Sequence, residues 1–272
     1  MCRLTTQGTY IRVNSIDLLV EAFLNKDDSP KQIISLGAGS DTRPFQLLTN
    51  EKYHNRLVYH EIDFPVSTSR KVAAIVADPR FSSAIGTGIE KSENEIHSET
   101  YHLHAQDLRN IKSDSFEILR GMDQSIDTLV ISECCLCYLE PAESAAVLSW
   151  FKSKFSRMGC IIYEPIGLDD QFGRVMIQNL AVRGISLPTL NKYHSLRSQV
   201  ERLVALGLEN SRAADMEFIH DNWLSREDNE RIDNLEFLDE REELNLLLRH
   251  YCIAWGSGQS WKWDFPENSQ QA

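Results

Sequence analysis

Basic residues are scarce in this 272-residue chain: 28 Lys and Arg stand against 40 Asp and Glu, a formal charge of -12. A compact polyanion repels a phosphate backbone, so no nucleic-acid partner is expected. The six cysteines are few and irregularly spaced, which does not make a disulfide framework. No stretch approaches ~18 consecutive apolar residues, so no membrane span is expected. The opening MCRLTTQGTY lacks the apolar core of a secretory signal. Internal repeats, heptads and any Ser–His–Asp arrangement are missing as well. The expectation left standing is a reduced, soluble, cytoplasmic protein.

Hydrophobic residues make up 42% and charged residues 25%, an ordinary globular balance. At ~100–200 residues per domain the length admits one large domain or two small ones. Apolar residues at helical spacing (Ile16, Leu19, Val20, Phe23) predict a helix over 11–24. Strands are predicted at 32–36, 57–62, 101–105, 128–132 and 160–163. Between them, helices are predicted at 42–48, 66–76 and 140–153, the last with Pro141 in its first turn. Strands alternating with helices imply βαβ units and a parallel sheet. Residues 86–100 read as a polar surface loop, and the tail 267–272 as frayed. Further on, 195–206 and 235–247 read as helices and 212–216 and 249–255 as strands, with helical segments expected to cap the functional edge of the sheet.

Chemistry concentrates at strand ends. The first strand runs into Gly37-Ala38-Gly39, where the missing Cβ lets backbone turn sharply and approach a ligand. Asp63 ends the second strand, 24 residues after Gly39, placed to accept hydrogen bonds from ribose hydroxyls. Read alone, an acid at a strand end is more often a helix cap or a solvated charge. No third glycine follows GAG, and Asp41 puts negative charge where a pyrophosphate needs helix N–H groups. Those two features argue against NAD and toward S-adenosylmethionine, a ribose cofactor without phosphates. Asp107-Leu108 follows the third strand, an acid for the adenine amino group and a leucine for the ring. Glu133 follows the fourth, near the reactive end of such a cofactor. The alternatives are an N-cap for Asp107 and a buried structural carboxylate for Glu133.

Several longer segments are more distinctive: YIRV (10–13), ISLGAGSDTRPFQL, YHEIDFP with Arg70-Lys71 after it, QDLR, ISECCLCYLEP, YEPIGLDDQFGRVMIQNL (163–180), SLRSQVERL, NLEFLDE and LLRHYCIAW. Together they resemble the leucine carboxyl methyltransferase family, enzymes that methylate the C-terminal leucine carboxylate of type 2A protein phosphatases. The resemblance runs almost end to end. It implies an α/β, Rossmann-like class I S-adenosylmethionine-dependent methyltransferase, with a mostly parallel central sheet, helices on both faces and a helical cap. It implies a single domain over 1–272 with recognition elements within about 165–245, acting as a monomer on the tail of the phosphatase 2A catalytic subunit. Cofactor roles are implied for Arg12, Gly37, Asp63, Asp107, Leu108 and Glu133, with Arg12 pairing the methionyl carboxylate. The family's N-terminal segment is longer and carries another basic residue toward the cofactor; this sequence begins at about the point where that segment ends.

Tyr138, five residues after Glu133, is the first candidate near the transferred methyl group. Arg43 and Arg174 are candidates for the substrate carboxylate, weighed against plain surface ion pairing. No metal site is expected: Cys134, Cys135 and Cys137 read as small packing residues, and His102 and His104 as one strand face. Met176 and its apolar neighbours read as core. The aromatic tail (Trp255, Trp261, Trp263, Phe265) reads as folded back on the domain. A tRNA-modifying relative in the same superfamily carries a C-terminal β-propeller, for which no ~50-residue repeat is present, and an inactive phosphatase-binding homologue is the remaining alternative.

Overall fold

A computed structural model of the chain describes residues 3–111, 116–235 and 241–259. In order, its elements are α1 (Arg3–Leu24), β1 (Lys31–Leu36), α2 (Arg43–Thr49), β2 (Leu57–Asp63), α3 (Pro65–Ala77), α4 (Pro79–Ala84), β3 (Glu90–Lys91), β4 (Ile96–His97), β5 (Tyr101–Ala105), β6 (Asp127–Glu133), α5 (Pro141–Lys154), β7 (Met158–Pro165), α6 (Gln171–Val182), α7 (Leu196–Val204), β8 (Asn210–Asp215), α8 (Met216–Trp223), α9 (Arg226–Leu235), α10 (Arg241–Arg249) and β9 (Tyr251–Ser257). They fall into two compact units: a central one, Asp27–Cys160, and a discontinuous one built from Met1–Lys26 and Ile161–Ala272.

The central unit is a sheet flanked by helices, with strand order β3-β4-β5-β2-β1-β6. The pairs β1–β2, β1–β6 and β2–β5 are parallel, and the short pairs β3–β4 and β4–β5 are antiparallel. Every residue of β1 is buried, as expected of a strand covered on both faces. The polar residues of that strand are matched internally: Gln32 Nε2 donates to Thr128 Oγ1 at 3.0 Å, and Lys31, fully buried, lies 3.7 Å from Asp127. Ser35 is likewise buried within the strand.

In the discontinuous unit, strands are ordered β7-β9-β8, and β8 pairs antiparallel with β9 from Asn210↔Ser257 to Asp215↔Cys252. Helix α7 packs on both strands, and α1 packs on α8 and α10. Ile16, Leu19, Val20 and Phe23 of α1 are all buried, which is the face its spacing predicted. Inside the unit Arg202 and Glu164, both almost fully buried, pair at 2.9 Å, with Gln199 Nε2 also donating to Glu164 at 3.2 Å. Trp255 is fully buried in β9; Trp261, Trp263 and Phe265 lie outside the described residues.

Three expectations need correction. The stretch 86–100 is not one loop: Glu90–Lys91 and Ile96–His97 form a small hairpin that extends the sheet. Strands of two residues are too short for any periodicity to register. The residues around Met176 are not core: Val175, Ile177 and Val182 are 52%, 44% and 84% exposed on α6. Helical spacing identifies an apolar stripe but not whether the protein itself covers it. The span 235–247 holds the end of α9 and most of α10, and residues 236–240 between them lie outside the described residues.

Candidate active site

Four adjacent parallel strands of the central unit, β5, β2, β1 and β6, end at the same edge of the sheet. Their last residues and the turns after them carry most of the candidates. Beyond β1, Gly37 and Gly39 sit at φ +63° and +53°. Gly37 has a second constraint, since a Cβ there would lie 2.6 Å from Cys135 Sγ. Only glycine satisfies both the left-handed backbone and that approach. Asp63, closing β2, fastens this turn: its Oδ2 accepts from Gly39 N at 2.8 Å and its Oδ1 from Phe64 N at 2.7 Å.

Asp107 follows β5 and does what the alternative reading proposed, capping the short 3₁₀ turn Leu108–Asn110 by accepting from Arg109 N at 2.9 Å. It also pairs with the Arg109 guanidinium at 2.6 Å, and Leu108 beside it is buried. Capping uses part of a carboxylate's acceptor capacity, so the N-cap role and a ligand role coexist. Glu133, the last residue of β6, is not a buried structural carboxylate: it is 23% exposed and faces Arg43 at 3.7 Å.

Arg43 is buried at 4% exposure, not a surface charge, and its other nitrogen pairs with Asp41 at 2.7 Å. Asp41 is held further by two more donors: Arg43 N donates to its Oδ1 at 2.9 Å and Lys71 Nζ to its backbone carbonyl at 2.8 Å. Lys71 also pairs with the fully buried Glu61 at 2.7 Å. This network ties the glycine turn to the end of β6 through one guanidinium. The sequence showed its members only as charges near strand ends.

Immediately after Glu133 the chain enters a strained turn. Cys134 has φ +48°, which costs a residue with a Cβ about 1–2 kcal/mol. Such strain collects where a site needs a particular backbone course. Cys135 packs against Gly37 and Cys137 is buried, so the cysteine run supplies small side chains under the turn. Tyr138 follows in a 3₁₀ turn, 49% exposed. Burial and the neighbouring thiols push its hydroxyl up to about 12, so it remains a proton donor at any working pH. Next to the glycine turn opens a cleft of about 320 Å³, lined by Gly39, Asp41, Phe45, Arg70 and Lys71 among others.

The central unit thus carries Gly37, Asp63, Asp107, Leu108, Glu133, Arg43 and Tyr138 at or just beyond the ends of these four strands. The edge suits a ribose-bearing ligand: backbone exposed by glycine, carboxylates at successive strand ends, and an apolar side chain beside Asp107. Arg12 and Arg174 belong to the discontinuous unit. Arg12, on α1, holds its guanidinium 5.7 Å from the centroid of the Tyr163 ring. Arg174, exposed in the first turn of α6, donates to the Asp169 carbonyl at 2.6 Å.

Comparison with known proteins agrees with this architecture. The family model described as leucine carboxyl methyltransferase matches residues 2–152. The chain is 49% identical over 257 residues to leucine carboxyl methyltransferase 1 of Yarrowia lipolytica, covering 93% of this chain and 79% of that protein. Against the protein of the same name from Rattus norvegicus it is 35% identical over 257 residues, covering 92% and 76%. A solved structure of a putative methyltransferase from Thermobifida fusca aligns with a TM-score of 0.57 at 13% identity, covering 94% of this chain and 81% of that one, which shows a shared fold. The chain belongs to the leucine carboxyl methyltransferase family.

Proposed function

We propose that this methyltransferase uses S-adenosylmethionine to methylate the C-terminal leucine carboxylate of the phosphatase 2A catalytic subunit, forming a methyl ester that governs holoenzyme assembly. The observation that carries the reading is the convergence of Gly37, Asp63, Asp107 and Glu133 on one edge of a parallel sheet, in a chain of this family. When bound, the cofactor supplies an electrophilic methyl group on a sulfonium. A chain-terminal carboxylate, with a pKa of ~3.3–3.7, is already ionised at neutral pH, so no general base is required. The work left to the protein is positioning and exclusion of water.

Asp63 and Asp107 are the acceptors for ribose hydroxyls and the adenine amino group, and Leu108 packs on the ring. Glu133, oriented by Arg43, and the carbonyl of Gly37 stand toward the cationic end of the cofactor. Arg12 takes the methionyl carboxylate. Tyr138, held neutral, donates a hydrogen bond near the reacting atoms. Arg43 acts through Glu133, since its guanidinium is buried between two acids; Arg174, exposed on α6, is assigned to the substrate carboxylate. Residues 1–272 are read as one methyltransferase domain, with recognition elements within about 165–245. The apolar residues exposed on α6 support that placement, because a protein substrate needs a docking face of this kind. No helix among the described residues is long and apolar enough to cross a membrane; the protein is read as a cytoplasmic monomer.

The test is transfer of labelled methyl from the cofactor to a phosphatase 2A core, run beside a core lacking its last leucine. Label is expected on the first alone. Equal labelling of both removes the carboxylate assignment.

A further inference from the structure

Away from this edge, four histidines gather on one side of the central unit. His60 of β2 lies across from His102 of β5, and His102 lies across from His97 of β4. His104 follows two residues on, on the same face of β5. All four are buried. The rings of His60 and His102 stack with centroids 4.7 Å apart, and His60 Nδ1 lies 3.1 Å from His104 Nε2. His97 Nδ1 lies 3.2 Å from His102 Nδ1. Burial disfavours the charged form of all four rings.

A buried neutral imidazole has a lone pair to place, and here an acid stands beside the group. Glu95, in the turn between β3 and β4, brings its Oε2 to 3.8 Å from His97 Nε2, while its Oε1 accepts from Ala105 N at 3.2 Å. One carboxylate oxygen of Glu95, one ring nitrogen of His97 and one of His104 all lie within 4.8 Å of one another. These residues line a cleft of about 500 Å³, so a fourth position is open to water.

We propose that Glu95, His97 and His104 bind one divalent transition-metal ion of the zinc class, clipping the β3–β4 hairpin to β5. Two imidazoles and a carboxylate suit zinc, at ~2.0–2.2 Å from each ligand. That requires ligand atoms about 3.4 Å apart, so the three must draw in from their present spacing of within 4.8 Å. Hard cations such as magnesium prefer an all-oxygen set. His97 and His104 each contact a further histidine, His102 and His60, and such partners fix the ring orientation and tautomer of ligating imidazoles.

The experiment titrates zinc into the metal-free full chain, follows heat and thermal unfolding, and repeats the titration with cobalt to read the ligand field. Wild type is expected to take one equivalent, to melt higher with zinc than with magnesium, and to give a tetrahedral cobalt spectrum of nitrogen and oxygen ligands. Glu95→Gln keeps the acceptor for Ala105 N and removes the charge. It should fold normally and bind zinc at least tenfold more weakly, as should His97→Gln, since even outer partners of ligating histidines are worth about 10–100-fold. Three results overturn the proposal: no uptake at about micromolar zinc, uptake unchanged in both variants, or a cobalt spectrum dominated by thiolate charge transfer, which would assign the metal to the Cys134–Cys137 run.

Discussion

At the residue scale the most constrained position is Gly37. Its φ of +63° and the 2.6 Å approach of Cys135 to a hypothetical Cβ act together. Gly37→Ala is expected to destabilise the chain by about 1–3 kcal/mol and to weaken S-adenosylmethionine binding; thermal unfolding and calorimetry read the two effects separately. Asp63→Ala and Arg12→Ala are each expected to weaken cofactor binding while the circular dichroism spectrum stays native. An affinity unmoved by both would remove the assigned pocket. Tyr138 gives a pH test. With its hydroxyl raised to about 12, Tyr138→Phe should lower kcat about 10–100-fold. The ratio of wild-type to variant rate should stay level as pH rises through ~10, where an ordinary tyrosine ionises. A ratio that collapses near 10 contradicts the raised hydroxyl. Asp63 and Glu133 were legible as strand ends, each closing a buried run, while Asp107 lies two residues beyond β5. The pairing of Arg43 with Asp41 and Glu133 was not, since it joins the turn after β1 to the end of β6 across some 90 residues.

At the element scale, the buried strands were legible to within two residues at their ends. Parallel strands covered on both faces must be nearly continuous apolar runs, and TLVIS and QIISL have no other natural reading. The β3–β4 hairpin was hidden because its four strand residues carry no period. It matters all the same, since it supplies His97 and Glu95 to the histidine group. Helix α6 was misjudged for the opposite reason: its spacing is good, but its apolar residues face outward. Val175→Asp with Ile177→Asp is therefore expected to leave stability within about 0.5 kcal/mol and cofactor affinity unchanged. KM for the phosphatase should rise roughly fivefold or more, as for residues worth over 1 kcal/mol at an interface. Unchanged KM would free α6 of any docking role.

At the scale of the whole molecule, the discontinuous unit takes its first helix from one end of the chain and the rest from the other. Six apolar side chains of α1 are buried: Ile11, Ile16, Leu19, Val20, Phe23 and Leu24. At ~1.5–3 kcal/mol each, their loss is comparable to the whole stability of a domain, ~5–15 kcal/mol. Deleting residues 1–26 is expected to leave 161–259 open to limited proteolysis, and a peptide spanning α1 added in trans should restore protection. Cleavage patterns identical with and without α1 would contradict its place in that core.

The same arrangement sets a schedule at the ribosome. Helix α1 emerges well before its partner α8, which begins at Met216, some 190 residues after α1 ends. At ~5–20 residues per second that separation lasts roughly 10–40 s. For that interval an apolar helical stripe has no native cover, so nascent chains should depend on a holdase until α8 and α10 have emerged.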